Sequence, residues 1–428
     1  MKKRLLAMLL VLILCLTACD LPITLPDPED NIPGDSEDNT PDNPEDNIPA
    51  DPEDSAISYE DITPSKYIEI ADDDYKGFDL QLNIYDDTDV QLEKEIIGLL
   101  NAHKPKESFT NADENYVPVI TAGDDVYIYY RGYILNDDGT RNYMDNMSNV
   151  NSTSPYKLTI GSGSFIAGFE SGMIGKSIND YPKLALDADG KLSEPYDDEK
   201  YEPVYVRFPF DYGAPDLASK ESWFEIYLVS ITEYYDDSKG EGVFNDTFVE
   251  NKILKNNNHI KELFDSEYPG LSPSEQCIKY LADLIDEKYQ AHYNSFLNSA
   301  LINHYLEKVT IKKYPKALME GNRAEYVKAF EAYYQQILTI YGPYYGYSES
   351  NYPIETYAKS YFGISDGSLW KEEVYKIADS ETTWQLILHY IIEKENIEIS
   401  SSEIDAKEAA VFAKIASDFG ITIYTLDD

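Results

Sequence analysis

The spacing of apolar positions changes character twice along this chain of 428 residues. From about Tyr59 an alternating, strand-like stretch leads into a helical pattern near Asp89, where apolar side chains recur at intervals of three and four. From about Tyr116 to Tyr235 short alternating runs predict β-strands, and from about Val243 onward the helical spacing returns. The pattern therefore predicts a β-rich module of antiparallel strands set between helical segments.

Four apolar runs of the middle module predict strands. They are Asp124–Leu135, Pro155–Ile160, Pro203–Phe210 and Ser222–Tyr235. Asn136–Gly139 follows the first run and has the composition of a hairpin turn. Between the strands, the stretch Lys157–Gly175 carries five glycines among Ile, Phe and Met, and its part Phe165–Met173 predicts a short helix.

Charge excludes one class of partner. The chain has 79 Asp and Glu against 35 Lys and Arg, a formal net charge of -44. Such a surface repels phosphates, so we expect no nucleic-acid partner, and an anionic membrane surface would be repelled as well. Tyrosine is frequent, with 38 residues, which suits an adhesive binding surface but is equally a habit of composition.

The N-terminus has the pattern of an export signal. Lys2–Arg4 form a basic head, and the apolar run behind it is short for a membrane span. The run ends in Leu16–Cys19, which resembles the bacterial lipobox, and the resemblance implies acylation of Cys19; an ordinary signal peptide with a chance cysteine is the alternative. Beyond Cys19 the one remaining cysteine is Cys277, so no intramolecular disulfide is expected in the mature chain.

A Pro- and acid-rich segment follows the signal. The sequence PEDNIP occurs at Pro28–Pro33 and again at Pro44–Pro49, and Lys and Arg are absent from residues 20–58. Such a composition buries too little apolar surface to fold, and like charges extend it. We expect an extended linker that holds the folded part away from the membrane.

Several motifs suggest chemistry that their spacing does not support. Gly161, Gly163 and Gly168 lack the spacing of a dinucleotide loop and no βαβ unit surrounds them. Leu186–Glu194 begins like a calcium loop but lacks the later ligands, which favours a solvated turn. The five histidines are scattered without zinc-like spacing, and the carboxylates are too many for one pair to be singled out.

The middle module resembles FKBP-type peptidyl-prolyl isomerases, and most closely the isomerase domain of trigger factor. The matching stretches are Gly123–Ile134, Tyr156–Lys176, Val206–Gly213 and Ala218–Ile231. Stretches of the flanks resemble pieces of the trigger factor chaperone domain, namely Phe244–Val249, Tyr314–Asn322 and Ile391–Ile404. The resemblance implies an α+β fold, with an FKBP-like antiparallel sheet wrapped on a short helix and a mostly helical chaperone domain around it.

The resemblance also assigns a substrate pocket. Its residues are Tyr130, Tyr156, Phe165, Ile166, Phe169, Tyr212 and Phe224. In this assignment Phe169 is the floor under the proline ring, the Ile166 backbone N–H holds the substrate carbonyl, and Tyr130 or Tyr212 adds a hydroxyl. Asp145 corresponds to the acidic pocket residue of the family, with Met144 where an aromatic is usual. Because prolyl isomerisation breaks no bond, no cofactor or metal is expected.

The predicted organisation has five parts. They are a lipoprotein signal (1–19), a linker (20–58), the first part of a helical chaperone-like domain (59–115), an isomerase domain (116–235) and the rest of the helical domain (236–428). The ribosome-docking domain of trigger factor has no counterpart, so no ribosome partner is expected. The predicted function is a peptidyl-prolyl isomerase and chaperone, lipid-anchored outside the cytoplasm, acting on unfolded or proline-containing polypeptides.

Three other functions are alternatives to this prediction, and the sequence favours or opposes each of them through particular features. A holdase with a weak or inactive isomerase fold is favoured by Met144, by the Tyr-rich stretch Tyr341–Gly363, which resembles an insertion, and by an acidic insertion at 181–203 that would cover or extend the site. A transporter-associated binding lipoprotein needs two α/β lobes, which the pattern does not predict. A parvulin-type foldase needs histidines in the β module, and none lies between His103 and His259.

Overall fold

The computed structural model describes residues 55, 58–136, 138–185, 196–236, 239–399 and 404–427. In these ranges the α-helices are α1 (Asp72–Tyr75), α2 (Thr88–Ala102), α3 (Asp246–Phe248), α4 (Asn258–Glu267), α5 (Pro273–Lys308), α6 (Lys316–Tyr345), α7 (Ile354–Phe362), α8 (Trp370–Glu395) and α9 (Ile404–Asp418). The strands are β1 (Ile68–Glu69), β2 (Asp79–Gln81), β3 (Asp125–Leu135), β4 (Arg141–Met144), β5 (Tyr156–Thr159), β6 (Val204–Arg207), β7 (Glu221–Thr232), β8 (Thr310–Ile311) and β9 (Thr422–Tyr424). The predicted signal, its Cys19 and most of the linker lie outside the described residues.

The chain divides into two compact units. One combines Asn83–Ser295 with the residues from Thr425 onward, and it holds the larger β-sheet. The other combines the described residues up to Leu82 with Phe296–Tyr424. The unit with the sheet therefore extends beyond residues 116–235 on both sides, since it also includes α2 and α3.

The larger sheet has five antiparallel strands in the order β4-β3-β7-β6, with β5 also paired to β3. Each of the four predicted strand runs contains one of these strands. The turn predicted at Asn136–Gly139 is present, and the Gly139 N–H donates to the Asn136 carbonyl at 2.8 Å. Successive side chains of β3 and β7 point to opposite faces of the sheet. One face is apolar and packs on a core, and the other carries polar and aromatic side chains.

The core of this unit lies under the apolar face of the sheet. Val126 and Ile128 of β3 and Ile226 of β7 pack there against Phe169 and Met173, and each is fully buried. The predicted helix at Phe165–Met173 is wrong in extent: residues 167–170 form a turn, and a single 3-10 turn follows at Ser171–Met173. Gly168 has φ +90°, a backbone angle that a right-handed helix excludes, so the helical part starts only after it.

The second unit is mostly helical, and the predicted α+β class is confirmed. Its two small sheets pair β1 with β8 antiparallel and β2 with β9 parallel. Helices α6 and α8 pack through an aromatic core that includes Phe330 and Trp370. Arg323 on α6 donates two bonds to the Asp379 carboxylate of α8, at 2.7 and 2.6 Å.

The Tyr-rich stretch is part of this helical unit. α6 continues through Pro343 to Tyr345, and α7 follows at Ile354–Phe362. Tyr344 is 81% exposed and Tyr345 is 67% exposed, whereas Tyr357 is buried against Phe330. The stretch thus supplies both core contacts and an exposed tyrosine surface.

Cys277 is buried among apolar side chains, and burial raises the pKa of its thiol to about 11. Over the described ranges, no helix combines the length and the apolar character that crossing a bilayer requires. In the same ranges, no group of three His, Cys, Asp or Glu side chains is placed to hold a metal ion.

Candidate functional site

Tyr130 is positioned by an irregular edge of β3. β5 pairs with β3 up to Ile128, and β4 pairs with it from Gly132 onward. In the gap, the Tyr130 N–H donates to the Asn149 side-chain oxygen at 2.6 Å, and the Asn149 N–H donates to the Tyr130 carbonyl at 3.0 Å. The Gly132 N–H donates to the Ser148 hydroxyl at 3.0 Å. These bonds give the main-chain groups of β3 partners where no strand lies beside them, and they hold Tyr130 against the core.

The glycine-rich turn after β5 requires its glycines. Gly161 has φ +93°, and a Cβ there would lie 2.4 Å from the Ile97 carbonyl oxygen of α2. Gly168 has φ +90°, with Val206 of β6 at 3.1 Å from the position of a Cβ. The turn thus runs in close contact with α2 on one side and with β6 on the other, which only glycine permits.

A buried carboxylate, which the sequence analysis missed, ties this turn together. Glu170 is 4% exposed, and its side chain accepts the N–H groups of Gly161 at 2.6 Å, Gly163 at 3.3 Å and Phe165 at 3.2 Å. It also accepts the Ser162 hydroxyl at 3.3 Å. A carboxylate is rarely buried unless its oxygens accept several hydrogen bonds. A lone Glu inside an apolar, glycine-rich run was the signal that would have found it.

Five of the predicted pocket residues form one aromatic cluster. Its members are Tyr130, Tyr156, Phe165, Phe169 and Phe224. Tyr130 has the most contacts, with ring centroids 5.3 Å from Phe165, 6.2 Å from Phe169 and 6.3 Å from Phe224. These edge and tilted contacts are the arrangements that aromatic pairs prefer.

The floor of this aromatic cluster is covered. Phe169 is 0% exposed, and Phe165 stacks on it with centroids 4.2 Å apart and an angle of 18° between the planes. Phe224 meets Phe169 at 5.0 Å and 89°. Phe165 itself is half-buried, and Tyr156 at the rim is 40% exposed. A ligand that reached the Phe169 ring would therefore have to displace Phe165.

Two hydrogen-bond donors beside the aromatic cluster are unpartnered within the described residues. Among the described residues the Ile166 N–H has no acceptor, although the Ile166 carbonyl accepts from the Phe169 N–H at 3.2 Å. The Tyr130 hydroxyl likewise has no hydrogen-bond partner within these ranges. Burial raises the pKa of Tyr130, and the nearby Tyr156 adds to this, so the hydroxyl keeps its proton at neutral pH. Both groups are available to an acceptor on a ligand.

Tyr212 and Asp145 lie apart from the aromatic cluster. Tyr212 packs on Phe208 with centroids 4.7 Å apart, in a neighbouring apolar cluster. Ile166 and Met147 pack against both clusters and so connect Tyr212 to the site. Asp145 is exposed, and its carboxylate accepts the Tyr143 hydroxyl at 3.3 Å.

The described residues of the acidic insertion divide between the two faces of the sheet: Tyr181 at its start packs in the core with Phe169, whereas Leu184 and Tyr196 pack on the other face. Leu184 and Tyr196 contact Tyr129 and Tyr227, which alternate with the residues that face the core. The expectation that the insertion covers the site therefore does not hold for these two residues. Residues 186–195 of the insertion lie outside the described ranges.

This geometry belongs to a recognisable class of domain. Residues 118–229 match the family model of FKBP-type peptidyl-prolyl cis-trans isomerases. The matched range contains the whole aromatic cluster, together with Ile166, Tyr212 and Asp145. The antiparallel sheet, packed on the turn at 167–173 instead of the predicted helix, is thus an FKBP-like fold, as predicted.

Over a longer range the chain is similar to trigger factors. The trigger factor of Halothermothrix orenii is 27% identical over 346 residues, which cover 79% of this chain and 62% of the relative. That of Macrococcus caseolyticus is 25% identical over 368 residues, 85% of this chain and 67% of the relative. That of Mesoplasma florum is 26% identical over 266 residues and covers 62% of this chain. A solved trigger factor chaperone structure is 13% identical, with a TM-score of 0.28, and the match covers 81% of this chain and 70% of that one.

The chain spans between about half and two thirds of the length of these relatives, at 48%, 62% and 67%. The family model and the relatives together support a trigger factor-like chain with an FKBP-type isomerase domain.

Proposed function

We propose that this chain is a peptidyl-prolyl cis-trans isomerase that also binds unfolded polypeptides, with the aromatic cluster as its catalytic pocket. The observation that carries the proposal is the aromatic cluster with two unpartnered donors beside it, the Ile166 N–H and the Tyr130 hydroxyl. Rotation about an amide bond has a barrier of about 18–20 kcal/mol because the C–N bond has partial double-bond character. A catalyst for it needs no nucleophile, metal or general base.

The chemistry follows from what twisting does to the amide. A twisted amide has a less polarised carbonyl and a nitrogen with less double-bond character, so a water-poor aromatic surface favours it over the planar form. The Ile166 N–H would hold the carbonyl of the substrate while the proline ring packs on the aromatic rings. The Tyr130 hydroxyl would supply a second donor. Glu170 acts as a positioning residue, because its bonds fix the turn that presents Ile166.

Substrate entry requires a rearrangement of Phe165. Because this ring covers the buried face of Phe169, a proline ring reaches that face only after Phe165 rotates away. An aromatic pair of this kind stabilises a protein by about 0.5–1.5 kcal/mol beyond the burial of its area. Rotating Phe165 away loses that stabilisation, and contacts with the substrate can offset the loss. Phe165 then becomes a wall of the open pocket.

A second candidate function is a holdase without turnover. The complete burial of Phe169 favours it, since a closed pocket does not bind proline. The exposed Tyr344 and Tyr345 of the helical unit supply a surface for unfolded chains in either case. Relatives named trigger factor support the binding of polypeptides, which remains a proposal for this chain.

Proline-limited refolding of a small model protein tests the two functions together. We expect the wild-type chain to accelerate the slow phase, and Phe169→Ala to abolish most of the acceleration. Tyr130→Phe removes the hydroxyl alone and should reduce the rate several-fold while leaving the binding of clients intact. Phe330→Ala removes an equally buried ring from the other unit and serves as the control for stability. Suppressed aggregation without acceleration would refute the isomerase and leave the holdase.

We further propose that the protein is lipid-anchored outside the cytoplasm through Cys19. The basic head, apolar run and Leu16–Cys19 support this. Metabolic labelling with palmitate followed by membrane fractionation tests it, with Cys19→Ser as the variant and Cys277→Ser as the control. Label on the Cys19→Ser protein would contradict the proposal.

A further inference from the structure

β6 is an edge strand with a free side. Within the described residues it pairs with β7 alone, in the register Val204↔Phe224 to Arg207↔Glu221. The Phe208 N–H donates to the Lys220 carbonyl at 2.9 Å, which continues the same register. In an antiparallel pair, alternate residues exchange hydrogen bonds with the partner. Val204, Val206 and Phe208 therefore point their main-chain groups toward β7.

Tyr205 and Arg207 present their main-chain groups to the open side. The Arg207 carbonyl accepts the Tyr85 hydroxyl at 3.2 Å. Among the described residues, the N–H and carbonyl of Tyr205 and the N–H of Arg207 have no partner on that side. Unpaired groups in this alternation are a template for an added strand.

A cleft of about 360 Å³ lies along this edge. One wall is the start of α2, with Val90, which is 38% exposed. The second wall is the turn from Ala167 to Gly172, and the third is β6 with Tyr205, which is 57% exposed. Ala167, Gly168 and Ser171 also line a smaller hollow together with Phe165 and Ile166, so the cleft adjoins the aromatic cluster.

The charges of the cleft favour a cationic occupant. Asp87 and Glu93 line it. The one lining cation, Arg207, already donates to Glu221 at 2.7 Å and lies 3.9 Å from Asp427. Burial raises the pKa of Asp87, and the neighbouring carboxylates Asp86 and Asp211 raise it further, which reflects an excess of negative charge around the cleft.

We propose that the open edge of β6 is a docking site for an extended client segment, which adds a strand beside Tyr205 and Arg207. The segment alternates apolar side chains, which fill the cleft against Val90 and the 167–172 turn, with Lys or Arg side chains, which meet Asp87 and Glu93. Main-chain hydrogen bonds give an affinity that does not depend on the client sequence, and the contacts of the alternating side chains make the site prefer certain client sequences. The proposal rests on the proposed binding of unfolded polypeptides, and it places a second grip on the client next to the prolyl pocket.

The test uses the full chain and a fluorescently labelled, proline-free heptapeptide of alternating Lys and Val, with a Glu-for-Lys version as its counterpart. Binding is followed by fluorescence anisotropy at low and at high salt. Tyr205→Pro removes the open-side N–H, and proline is tolerated at an edge position of this kind. Tyr205→Ala is the matched control, because it removes the same side chain and keeps the N–H.

We expect the Lys peptide to bind at least tenfold tighter than the Glu peptide. Tyr205→Ala should weaken its binding by no more than threefold, and Tyr205→Pro by a further tenfold or more. Equal affinity of the Pro and Ala variants overturns the strand addition. If Tyr205→Pro does not fold, amide exchange of the wild type decides: bound Lys peptide must slow exchange at Tyr205 and Arg207, and unchanged exchange refutes the site.

Failure of this site and failure of the isomerase are separable. Peptide binding that persists without any acceleration of refolding would refute the isomerase alone. Acceleration of refolding without peptide binding would refute the β6 site alone.

Discussion

Removing the Glu170 carboxylate should loosen the turn that presents the Ile166 N–H. The carboxylate accepts four bonds, from the N–H groups of Gly161, Gly163 and Phe165 and from the Ser162 hydroxyl. Hydrogen bonds to charged groups contribute about 1.5–3 kcal/mol each when buried. Because the turn is partly exposed, water replaces some of these bonds in Glu170→Ala. We therefore expect a loss of about 2–4 kcal/mol in the free energy of opening this turn.

Amide hydrogen exchange resolved by residue measures this opening locally. The useful probes are the N–H groups of Ile160 and Gly172, because their acceptors, the Asp124 and Gly168 carbonyls, remain in the variant. Since each 1.4 kcal/mol is a factor of ten, their exchange should become about 30- to 1000-fold faster. Glu170→Gln keeps one acceptor oxygen and should fall between the variant and the wild type.

The exposed Glu199 supplies the control, since Glu199→Ala removes a carboxylate from the same unit without buried bonds. It should leave both probes unchanged. An increase of less than threefold in Glu170→Ala would refute the reasoning, because it would mean that the four bonds do not hold the turn. The same variant should lower the rate of prolyl isomerisation more than it lowers client binding, since the Ile166 N–H that donates to the substrate carbonyl is displaced.

Three further outcomes follow from single sites. Burial raises the pKa of Asp124 to about 6, so the folded state holds this proton more tightly than the unfolded state. The stabilisation that results is lost as pH rises from about 4 to above 6. The difference in the free energy of unfolding between the wild type and Asp124→Asn, measured with urea, should change over that window and not outside it. Gly161→Ala should destabilise by about 2 kcal/mol or more beyond Gly163→Ala in thermal unfolding, because both have positive φ but only the former meets a backbone oxygen. Arg323→Met should cost about 3–5 kcal/mol by leaving Asp379 without its bidentate partner, and Asp379→Asn in the same background should recover part of that loss.

Local pattern determined much of the fold. Alternation of apolar side chains defined β3 and β7, and the composition of Asn136–Gly139 defined the hairpin between β3 and β4. The helix at Phe165–Met173 was overestimated, because apolar spacing does not register that Gly168 adopts φ +90°. The turn also packs there against Val206 of β6, a contact between distant segments that leaves little room for a side chain at Gly168.

The residue types of the site were also accessible from the sequence, since the resemblance named all five rings of the aromatic cluster before their contacts were known. Which ring covers which is a matter of tertiary packing. Phe165 stacks on Phe169, while Tyr212 packs on Phe208 outside the aromatic cluster. The sequence did not predict the role of Glu170, because its carboxylate accepts three backbone N–H groups only after the turn has folded around it.

The sequence by itself thus determined four strands of the larger sheet, the helical segments on either side of them and the aromatic character of the candidate site, because these depend on the periodicity and identity of neighbouring residues. The tertiary structure alone decided that Phe165 covers Phe169, that Leu184 and Tyr196 of the acidic insertion pack on the opposite face, and that the β6 edge borders a cleft. Each of these depends on contacts between residues distant in sequence, and such contacts leave no periodic trace along the chain.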